Sequence, residues 1–304
     1  MTAWITSATH VLSESMDQAA IKNIVEAVGT LADQGQFDAL EQLYAPEVRM
    51  DYTSLTGGEV ELKSPKAIMT QWAGMLPGFD LTRHEVKNIN IQIEGNHASA
   101  SADVVAYHYV SGLYWEVSGN YRYAFEKEAS SWLITAHTFL LKTEKGTREV
   151  FAEASKNASA KPAAYLVRQQ NRKIVKDYLT ALETKNMDLF ADLLADDMVL
   201  EMPYSPKGYP ERVAGKRDII KHFSNWLEMS GAADFTSELT FYRMTSPEMI
   251  FAEWKGEVDI ITTGRKYQQQ YAGLFHIVAG KIKLLREYYD PAPFAYALGL
   301  NESE

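Results

Sequence analysis

Two histidines with neighbouring aromatic residues make the stretch from Asp80 to Tyr109 the part of the chain best equipped for chemistry. The chain has seven histidines, and His84 and His108 both lie in segments that alternate like β-strands. A histidine has a pKa of about 6.5, so an imidazole held by a carboxylate can take a proton from a carbon beside a carbonyl and return it to a leaving hydroxyl. These residues therefore indicate general acid–base chemistry on an organic compound.

Strand alternation places His108 on an inward face. It shares one side of its strand with three apolar residues, Val104, Ala106 and Val110. Because successive side chains point to opposite faces, Tyr107 and Tyr109 lie on the other side. An enolate is stabilised as it forms by a hydrogen bond from a hydroxyl, and Tyr52, Tyr107 and Tyr109 are the tyrosines considered for this role. Because Tyr107 and Tyr109 point away from the inward face, Tyr52 is the better candidate.

The orientation of His84 does not follow directly from strand alternation. It has the parity of Val86, whereas a shifted parity carries the apolar residues further along the strand, Ile89, Ile91 and Ile93. A β-bulge between the two sets would bring all of them onto one face. We expect such a bulge if His84 faces a pocket.

Metal and nucleotide sites are not expected. The histidines lack a His-x-His or i, i+4 pairing, and the chain has no cysteine, which removes thiolate ligands and disulfides. Gly57-Gly58 and Gly112 are isolated turn glycines without a phosphate-loop pattern. His97 lies in a polar turn and is expected to be solvated, while His137 on the last strand fits a pocket floor and core packing equally well.

The elements that must position these side chains follow an order of helices and then strands. Helical spacing runs from Asp17 to about Leu43, with a turn at 33–36, and a second helix begins at Ser64-Pro65. Strands are predicted at 48–52, 82–94, 98–111, 114–127 and 131–142. This order predicts an α+β fold, with helices packed on a strongly curved antiparallel sheet.

A shift of 150 residues reproduces the same order, which indicates an internal duplication. We predict two tandem domains, 1–150 and 165–304, joined by a linker at 151–164. In this alignment Glu183 of the second repeat corresponds to Asp33 of the first. The second-repeat positions that correspond to His84 and His108 fall near Ser237 and Asp259. Further matches pair Tyr121 with Tyr271, Phe125 with Phe275 and Trp132 with Ile282.

Composition limits the class of partner. The 304 residues are 46% hydrophobic, and 40 acidic against 30 basic residues give a net charge of −10, which disfavours nucleic acid and anionic membranes. The N-terminal residues lack a basic region followed by an apolar run, and no segment has the roughly 18 apolar residues of a membrane span. We expect a cytoplasmic protein whose partner is a small hydrophobic ligand or substrate. The two repeats could also pair as an intramolecular pseudo-dimer.

The first repeat resembles the SnoaL-like members of the nuclear-transport-factor-2-like superfamily, and most closely the scytalone-dehydratase-type branch. The resemblance lies in Ala45–Ser54, Leu81–His84, Tyr107–Tyr109 and the strand of Trp132. The second repeat is similar to the polyketide-cyclase and phenazine-biosynthesis-type members through Met202–Pro206, Ala214–Lys216 and Glu287–Pro291. The resemblance implies two tandem cone-shaped domains, each with a conical pocket, and an activity among cofactor-free dehydratases, isomerases and cyclases.

The resemblance assigns a role to four residues of the first repeat. His84 and His108 match the two pocket histidines, Asp33 matches the aspartate that orients the first of them, and Tyr52 matches a tyrosine that holds water or a carbonyl. Two positions depart from the pattern: Ala32 replaces a second tyrosine, and Tyr121 falls where an asparagine is found. The further pocket residues expected to bind substrate are Tyr121, His137 and Trp72 in the first repeat and Tyr204, Trp254 and Glu287 in the second.

We therefore predict a cofactor-independent lyase or isomerase, dehydratase- or cyclase-like, acting through His84 on a small hydrophobic carbonyl or hydroxyl compound. The alternative is a non-catalytic small-molecule-binding or accessory protein, and a protein-interaction module is a third reading. A separation of about 3.2 Å or less between His84 and Asp33 beside an enclosed cavity would favour the enzyme. In the second repeat, Glu287 is either a pocket acid or a strand residue paired with Arg286 or Lys283.

Overall fold

Apolar residues spaced by three and four build the first helix against the first sheet. In the computed structural model, which describes residues 2–242 and 244–300 and only the backbone of 2–14, helix α1 spans Thr2–Asp33. One of its faces is buried, through Ile21, Val25, Val28 and Ala32, and it packs against strand β3 (Leu81–Glu94). The predicted turn follows α1 directly, with Gly35 in the left-handed region at φ 63°.

The first unit follows the predicted order of helices and strands. Ser64 caps helix α4 (Pro65–Ala73) by accepting a hydrogen bond from the N–H of Ala67, and Pro65 occupies its first turn, as the sequence predicts. The remaining elements are α2 Phe37–Glu41, β1 Tyr44–Asp51, α3 Thr53–Thr56, β2 Glu61–Lys63, α4 Pro65–Ala73, a 3₁₀ turn Leu76–Gly78, β4 His97–Val110, β5 Leu113–Glu128, β6 Ser131–Gly146 and α5 Val150–Ala160.

The second unit repeats this order. Its elements are α6 Ala164–Glu183, α7 Met187–Leu193, β7 Leu194–Glu201, β8 Arg212–Ala214, α8 Lys216–Met229, β9 Ser230–Asp234, β10 Leu239–Tyr242, β11 Met249–Ile260, β12 Arg265–Val278, β13 Lys281–Tyr289 and α9 Pro291–Leu298. The boundary between the two compact units of the chain lies between Leu166 and Val167. Each unit has a hydrophobic core of its own.

The two sheets have matching strand orders. The first runs β2-β1-β6-β5-β4-β3, and the second runs β10-β11-β12-β13-β7-β8, with β9 also paired to β11. The described strands pair antiparallel in each sheet except for β1 with β6 and β7 with β13, which are parallel. The fold is therefore α+β, with two cone-shaped units of helices on a sheet, and the parallel pairs depart from the predicted strand directions.

The segment expected to be a linker is helical instead. Helix α5 packs on the 3₁₀ turn so closely that a Cβ on Gly78 would lie 1.8 Å from the carbonyl oxygen of Ala154. Asn157 donates a hydrogen bond to the carbonyl of Gly78 at 3.1 Å. The Ala- and Ser-rich composition of this segment predicts flexibility, but its small side chains allow close packing, and the helix is part of the first unit.

Candidate functional site

Asp33 holds His84 through two hydrogen bonds. Its Oδ1 lies 2.7 Å from Nδ1 of the imidazole, and its Oδ2 accepts the backbone N–H of His84 at 2.8 Å. A carboxylate only accepts, so Nδ1 carries the hydrogen and Nε2 keeps its lone pair. Burial raises the pKa of Asp33, but the hydrogen bonds and charge of His84 outweigh that effect and leave the pKa lowered. The carboxylate therefore stays ionised beside the ring.

A close approach between α1 and β3 makes this geometry possible. A Cβ on Gly29 would lie 2.7 Å from the Cβ of His84 and 3.3 Å from its Cγ. Any side chain at position 29 would displace the imidazole. Glycine is needed here for space rather than for an unusual backbone conformation.

A bulge turns His84 inward. The register of β3 with β4 shifts between Lys87 and Asn90, and Asn88 adopts a left-handed φ of 54°. One extra residue on β3 places His84 and Ile89 on the same side of the sheet, as expected from the conflicting parities.

His108 lies beside His84 in an aromatic environment. Their ring centroids are 5.9 Å apart, and Trp115 and Phe79 contact the His108 ring at 4.9 Å and 5.1 Å. Burial lowers the pKa of His108 to about 4, and the charge of His84 adds to the effect. His108 is therefore neutral near pH 7, and its Nδ1 has no hydrogen-bond partner in the described part of the chain.

A cavity of about 770 Å³ lies in front of both histidines. Tyr52, Trp72 and Tyr121 also line it, as predicted, and Ala32 lies on its wall. Asp33 is behind His84 rather than on the cavity surface. The wall residues that the sequence pattern did not indicate include Trp115, Phe139, Arg148, Phe151 and Ser155.

His137 lies beneath the cavity rather than on its wall. It is fully buried, with Nδ1 3.1 Å from the hydroxyl of Tyr44 and Nε2 3.3 Å from the hydroxyl of Tyr52. Burial lowers its pKa to about 3, so the ring is neutral and has one N–H to donate. His137 supports Tyr52 from behind, and the expectation that it binds substrate is replaced by this supporting position.

The tyrosines continue this network to the cavity wall. Burial raises the pKa of Tyr121, while a hydrogen bond from Tyr52 lowers it. The neutral His137 ring donates to one of the hydroxyls of Tyr44 and Tyr52 and accepts from the other, which ties both tyrosines to the ring. Tyr121, at the end of the series, lines the cavity.

Pairing within the sheets shows which residues of the second unit correspond to this site. Glu183 accepts hydrogen bonds from the backbone N–H groups of Phe235 and Thr236, as Asp33 does from His84. The ring of Phe235 lies so close to Gly256 that a Cβ there would be 2.9 Å from it. Phe235 and Val258 thus replace His84 and His108, and they lie two residues and one residue from Ser237 and Asp259, near which these positions were expected.

The last two strands also shift relative to a constant offset. Tyr123 pairs with His137 in the first sheet, and Phe275 pairs with Leu285 at the same place in the second. By the same register, Glu287 corresponds to Phe139, and the matches of Tyr121 with Tyr271, Phe125 with Phe275 and Trp132 with Ile282 are each wrong by two residues.

Changes in hairpin length cause these shifts. Residues 111–112 join β4 to β5, whereas 261–264 join β11 to β12. The next hairpin of the second sheet has shorter arms, because its turn at 279–280 follows Phe275 more closely than the turn at 129–130 follows Tyr123. Because the first hairpin is longer, positions in β12 lie two residues later than the constant offset predicts. Because the arms of the next hairpin are shorter, positions in β13 lie two residues earlier.

The second unit has a smaller cavity with a different lining. Glu287 and Trp254 line this cavity of about 290 Å³ together with His222. Tyr204 is 57% exposed and lies on an open groove, because the chain turns outward after Met202. Burial raises the pKa of Glu287 to about 7.

Arg286 and Lys283 do not pair with Glu287. Arg286 binds Glu201, and Lys283 binds Asp197. The alternative of a salt-bridged strand residue is therefore wrong, and Glu287 faces the cavity.

The described residues contain neither a metal-binding cluster nor a membrane-spanning helix. Within residues 2–242 and 244–300, no three His, Cys, Asp or Glu side chains are grouped as a metal ion requires. No helix in the described part of the chain is both long and apolar enough to span a membrane.

Comparison with known proteins gives domain matches in both units. A SnoaL-like domain model matches residues 13–138, and a second SnoaL-like domain model matches residues 175–285. The protein YesE of Bacillus subtilis is 27% identical over 125 residues, which are 41% of this chain and 84% of that protein. A PhzA/B-like protein of Pseudomonas aeruginosa is 29% identical over 128 residues, 42% of this chain and 89% of that protein.

Solved structures show similar coverage. A candidate isomerase from Bacillus subtilis is 26% identical with a TM-score of 0.41, over 44% of this chain and 95% of that one. A candidate scytalone dehydratase from Novosphingobium aromaticivorans is 15% identical with a TM-score of 0.41, over 45% of this chain and 92% of that one. The two domain models together account for most of the sequence, and the chain belongs to the SnoaL-like family as two SnoaL-like domains in tandem.

Proposed function

We propose that the first unit is a cofactor-independent lyase or isomerase in which His84 removes a proton from a carbon beside a carbonyl. One observation carries the proposal: Nδ1 of His84 is fixed 2.7 Å from Asp33, while the ring lines a cavity of about 770 Å³. An imidazole held in this way presents the lone pair of Nε2 to a ligand. The substrate class is a small, mostly apolar carbonyl compound, because aromatic and aliphatic side chains form most of the wall.

The proposed reaction begins with transfer of the proton to Nε2. The electron pair of the broken C–H bond moves toward the carbonyl, and the enolate oxygen accepts a hydrogen bond from Tyr121, which Tyr52 supports in turn. Asp33 stabilises the imidazolium that forms. The imidazolium then returns the proton either to a leaving hydroxyl, which departs as water, or to another carbon of the same substrate.

The experiment follows proton exchange rather than a chosen product. Full-length protein is incubated in D₂O with a panel of cyclic ketones and β-hydroxy ketones, and deuterium at the carbon beside the carbonyl is measured by NMR. His84→Ala should slow enzymatic exchange by about 10²- to 10⁴-fold, the usual contribution of a general base. Asp33→Asn should also slow it, because asparagine still accepts the backbone N–H of His84 but does not stabilise an imidazolium.

His97→Ala is the matched control, since this exposed histidine at the start of β4 lies outside the cavity lining. It should exchange at the wild-type rate. Wild-type exchange in either His84→Ala or Asp33→Asn, with the fold intact by circular dichroism, contradicts the proposal.

Binding without chemistry is the second candidate function, and Ala32 favours it. This residue lines the cavity at the position where the resemblance places a second tyrosine, so one donor to a carbonyl is missing. A pure binding protein would retain ketones from the panel, with saturable affinity, and exchange none of their protons.

A further inference from the structure

The second unit contains a carboxyl group whose position no contact of the fold explains. Glu287 lines the cavity of about 290 Å³, and burial alone accounts for the shift of its pKa. Within the part of the chain that the structure describes, no hydrogen bond or ion pair reaches it, and its nearest basic neighbours bind other carboxylates. Glu287 is only partly exposed, and an unpaired carboxylate in such a setting is unfavourable, so a ligand that supplies the missing charge would gain affinity.

Aromatic rings surround this carboxyl group. Trp254 stacks on Tyr271 at 5.2 Å and 12°, and Trp226 stacks on Phe294 at 5.7 Å and 22°. The faces of such rings attract cations and also contact apolar groups well. Among the described residues, no lysine or arginine lines the cavity, so the lining carries no fixed positive charge.

We propose that the cavity of the second unit binds a small organic cation, a protonated amine with an apolar body, whose ammonium group pairs with the carboxylate of Glu287. The ring faces would hold the body of the ligand. A metal cation fits poorly, because hard cations require several oxygen ligands and one carboxylate is present. An anion would be repelled. This site is independent of the chemistry proposed for His84.

Several titratable groups face Glu287. They are Tyr178 on α6, Tyr267 and Tyr271 on β12, Tyr289 on β13 and, across the cavity, His222 on α8. Burial raises the pKa of all four tyrosines above its usual value and lowers the pKa of His222, so these groups are neutral around pH 7 to 8. Glu287 is then the group whose charge changes in this range, since its pKa is about 7.

The test uses benzylamine, a cation at neutral pH, and benzyl alcohol, its neutral counterpart. Each is titrated calorimetrically into the full chain at several pH values. At pH 8 benzylamine should bind at least about tenfold more tightly than benzyl alcohol, as expected for one desolvated charge pair. Because binding requires the carboxylate, the affinity for benzylamine should fall by about tenfold for each pH unit below the pKa of Glu287 and level off above it.

Two variants locate the effect. Glu287→Gln is nearly isosteric and neutral, and it should remove both the preference for benzylamine and its pH dependence. Glu253→Gln is the matched control, because Glu253 lies on the outer side of β11, where it accepts a hydrogen bond from Tyr242 at 2.6 Å. It should retain the wild-type preference.

Four results would overturn the proposal. They are an absence of benzylamine binding, equal binding of the two compounds, unchanged benzylamine binding in Glu287→Gln, and tighter binding of benzyl alcohol as the pH falls. The last would show that the cavity uses a protonated carboxyl as a donor to neutral ligands. Near-UV circular dichroism of each variant verifies the fold.

Discussion

Burial shifts the pKa of Glu287 and of His137 in opposite directions, because in each case it disfavours the charged form. The pKa of Glu287 rises to about 7, and that of His137 falls to about 3. The charges of the two side chains therefore respond differently to pH near neutrality. His137 is fixed as a neutral hydrogen-bonding ring, whereas Glu287 changes charge there.

Replacing Glu287 by glutamine should change how stability depends on pH. The folded-state pKa lies above the unfolded value of about 4.5, so the contribution of Glu287 is fully present below pH 4.5 or so and is lost as the pH rises through about 7. The loss is about 3 kcal/mol at one pH unit or more above the folded pKa. The measurement is the free energy of unfolding in urea from pH 4 to pH 8.

The Glu287→Gln variant should lack this decline, so its stability relative to wild type should increase with pH. Glu253→Gln serves again as the control and should follow the wild-type curve. Parallel curves for wild type and Glu287→Gln would contradict the raised pKa of this carboxyl.

At the residue level, the sequence and the family resemblance predict which side chains belong to the site better than they predict how far each side chain lies from the cavity. The matched roles predict the pairing of Asp33 with His84, which agrees with the 2.7 Å contact. The sequence leaves the position of His137 open between floor and core, because strand parity gives the side of a sheet and not the distance from a cavity. Its contact with Tyr44 joins residues 93 positions apart, which no local pattern reveals.

Among the elements, the contact of α1 with β3 sets the position of the proposed base. Gly29→Ala would improve helix propensity by about 1 kcal/mol, but its Cβ would lie 2.7 Å from the Cβ of His84. Something must move, and β3 carries the imidazole. A displacement near 1 Å lowers rates by about 10²-fold, so ketone exchange should fall by about that factor while far-UV circular dichroism still reports the helix.

Gly58→Ala is the comparison for this change. A Cβ at position 58 would meet only the hydroxyl of Thr56, at 3.6 Å, and the variant should exchange ketones at the wild-type rate. Unchanged exchange in Gly29→Ala would mean that the position of His84 is not limiting.

The elements themselves are largely predictable, and their exact correspondence is not. Alternation and turn residues place the four long strands of the first unit within a few residues of their ends, and the parity conflict at His84 indicates the bulge at Asn88. Hairpin lengths are the weak point. The longer β11–β12 hairpin and the shorter arms of the next one move Glu287 from the register of His137 to that of Phe139, and only strand pairing reveals this.

For the whole molecule, acidification should affect the two units in opposite ways. His108 and His137 must gain a proton on unfolding, because their folded pKa values of about 4 and about 3 lie below the unfolded value of about 6.5. Their contribution is present above pH 6.5 or so and is lost as the pH falls. By about pH 5 each has lost about 2 kcal/mol, while Glu287 adds about 2 kcal/mol to the second unit, partly offset by His222.

Hydrogen exchange followed by mass spectrometry can separate the units. Between pH 7 and pH 5, peptides from β5 should lose protection relative to peptides from β12, after correction for the intrinsic exchange rate. His137→Leu, which introduces the residue found at the corresponding position in the second unit, Leu285, should lessen the loss in β5 by about 2 kcal/mol. Equal changes in both peptides would contradict the opposite shifts.

The first long helix of each unit ends in a carboxylate, and this shared feature indicates how a proton-transfer site can arise in the fold. Asp33 accepts the backbone N–H of His84 within β3, and Glu183 accepts those of Phe235 and Thr236 directly after β9, yet only Asp33 also contacts an imidazole. Both units thus use the carboxylate to bind the facing backbone to the end of the helix. In the first unit the same carboxylate also orients the proposed base. A fold that already secures its helix to its strand with a carboxylate needs only a histidine at the fastened residue, and room for its ring, to acquire a proton-transfer centre.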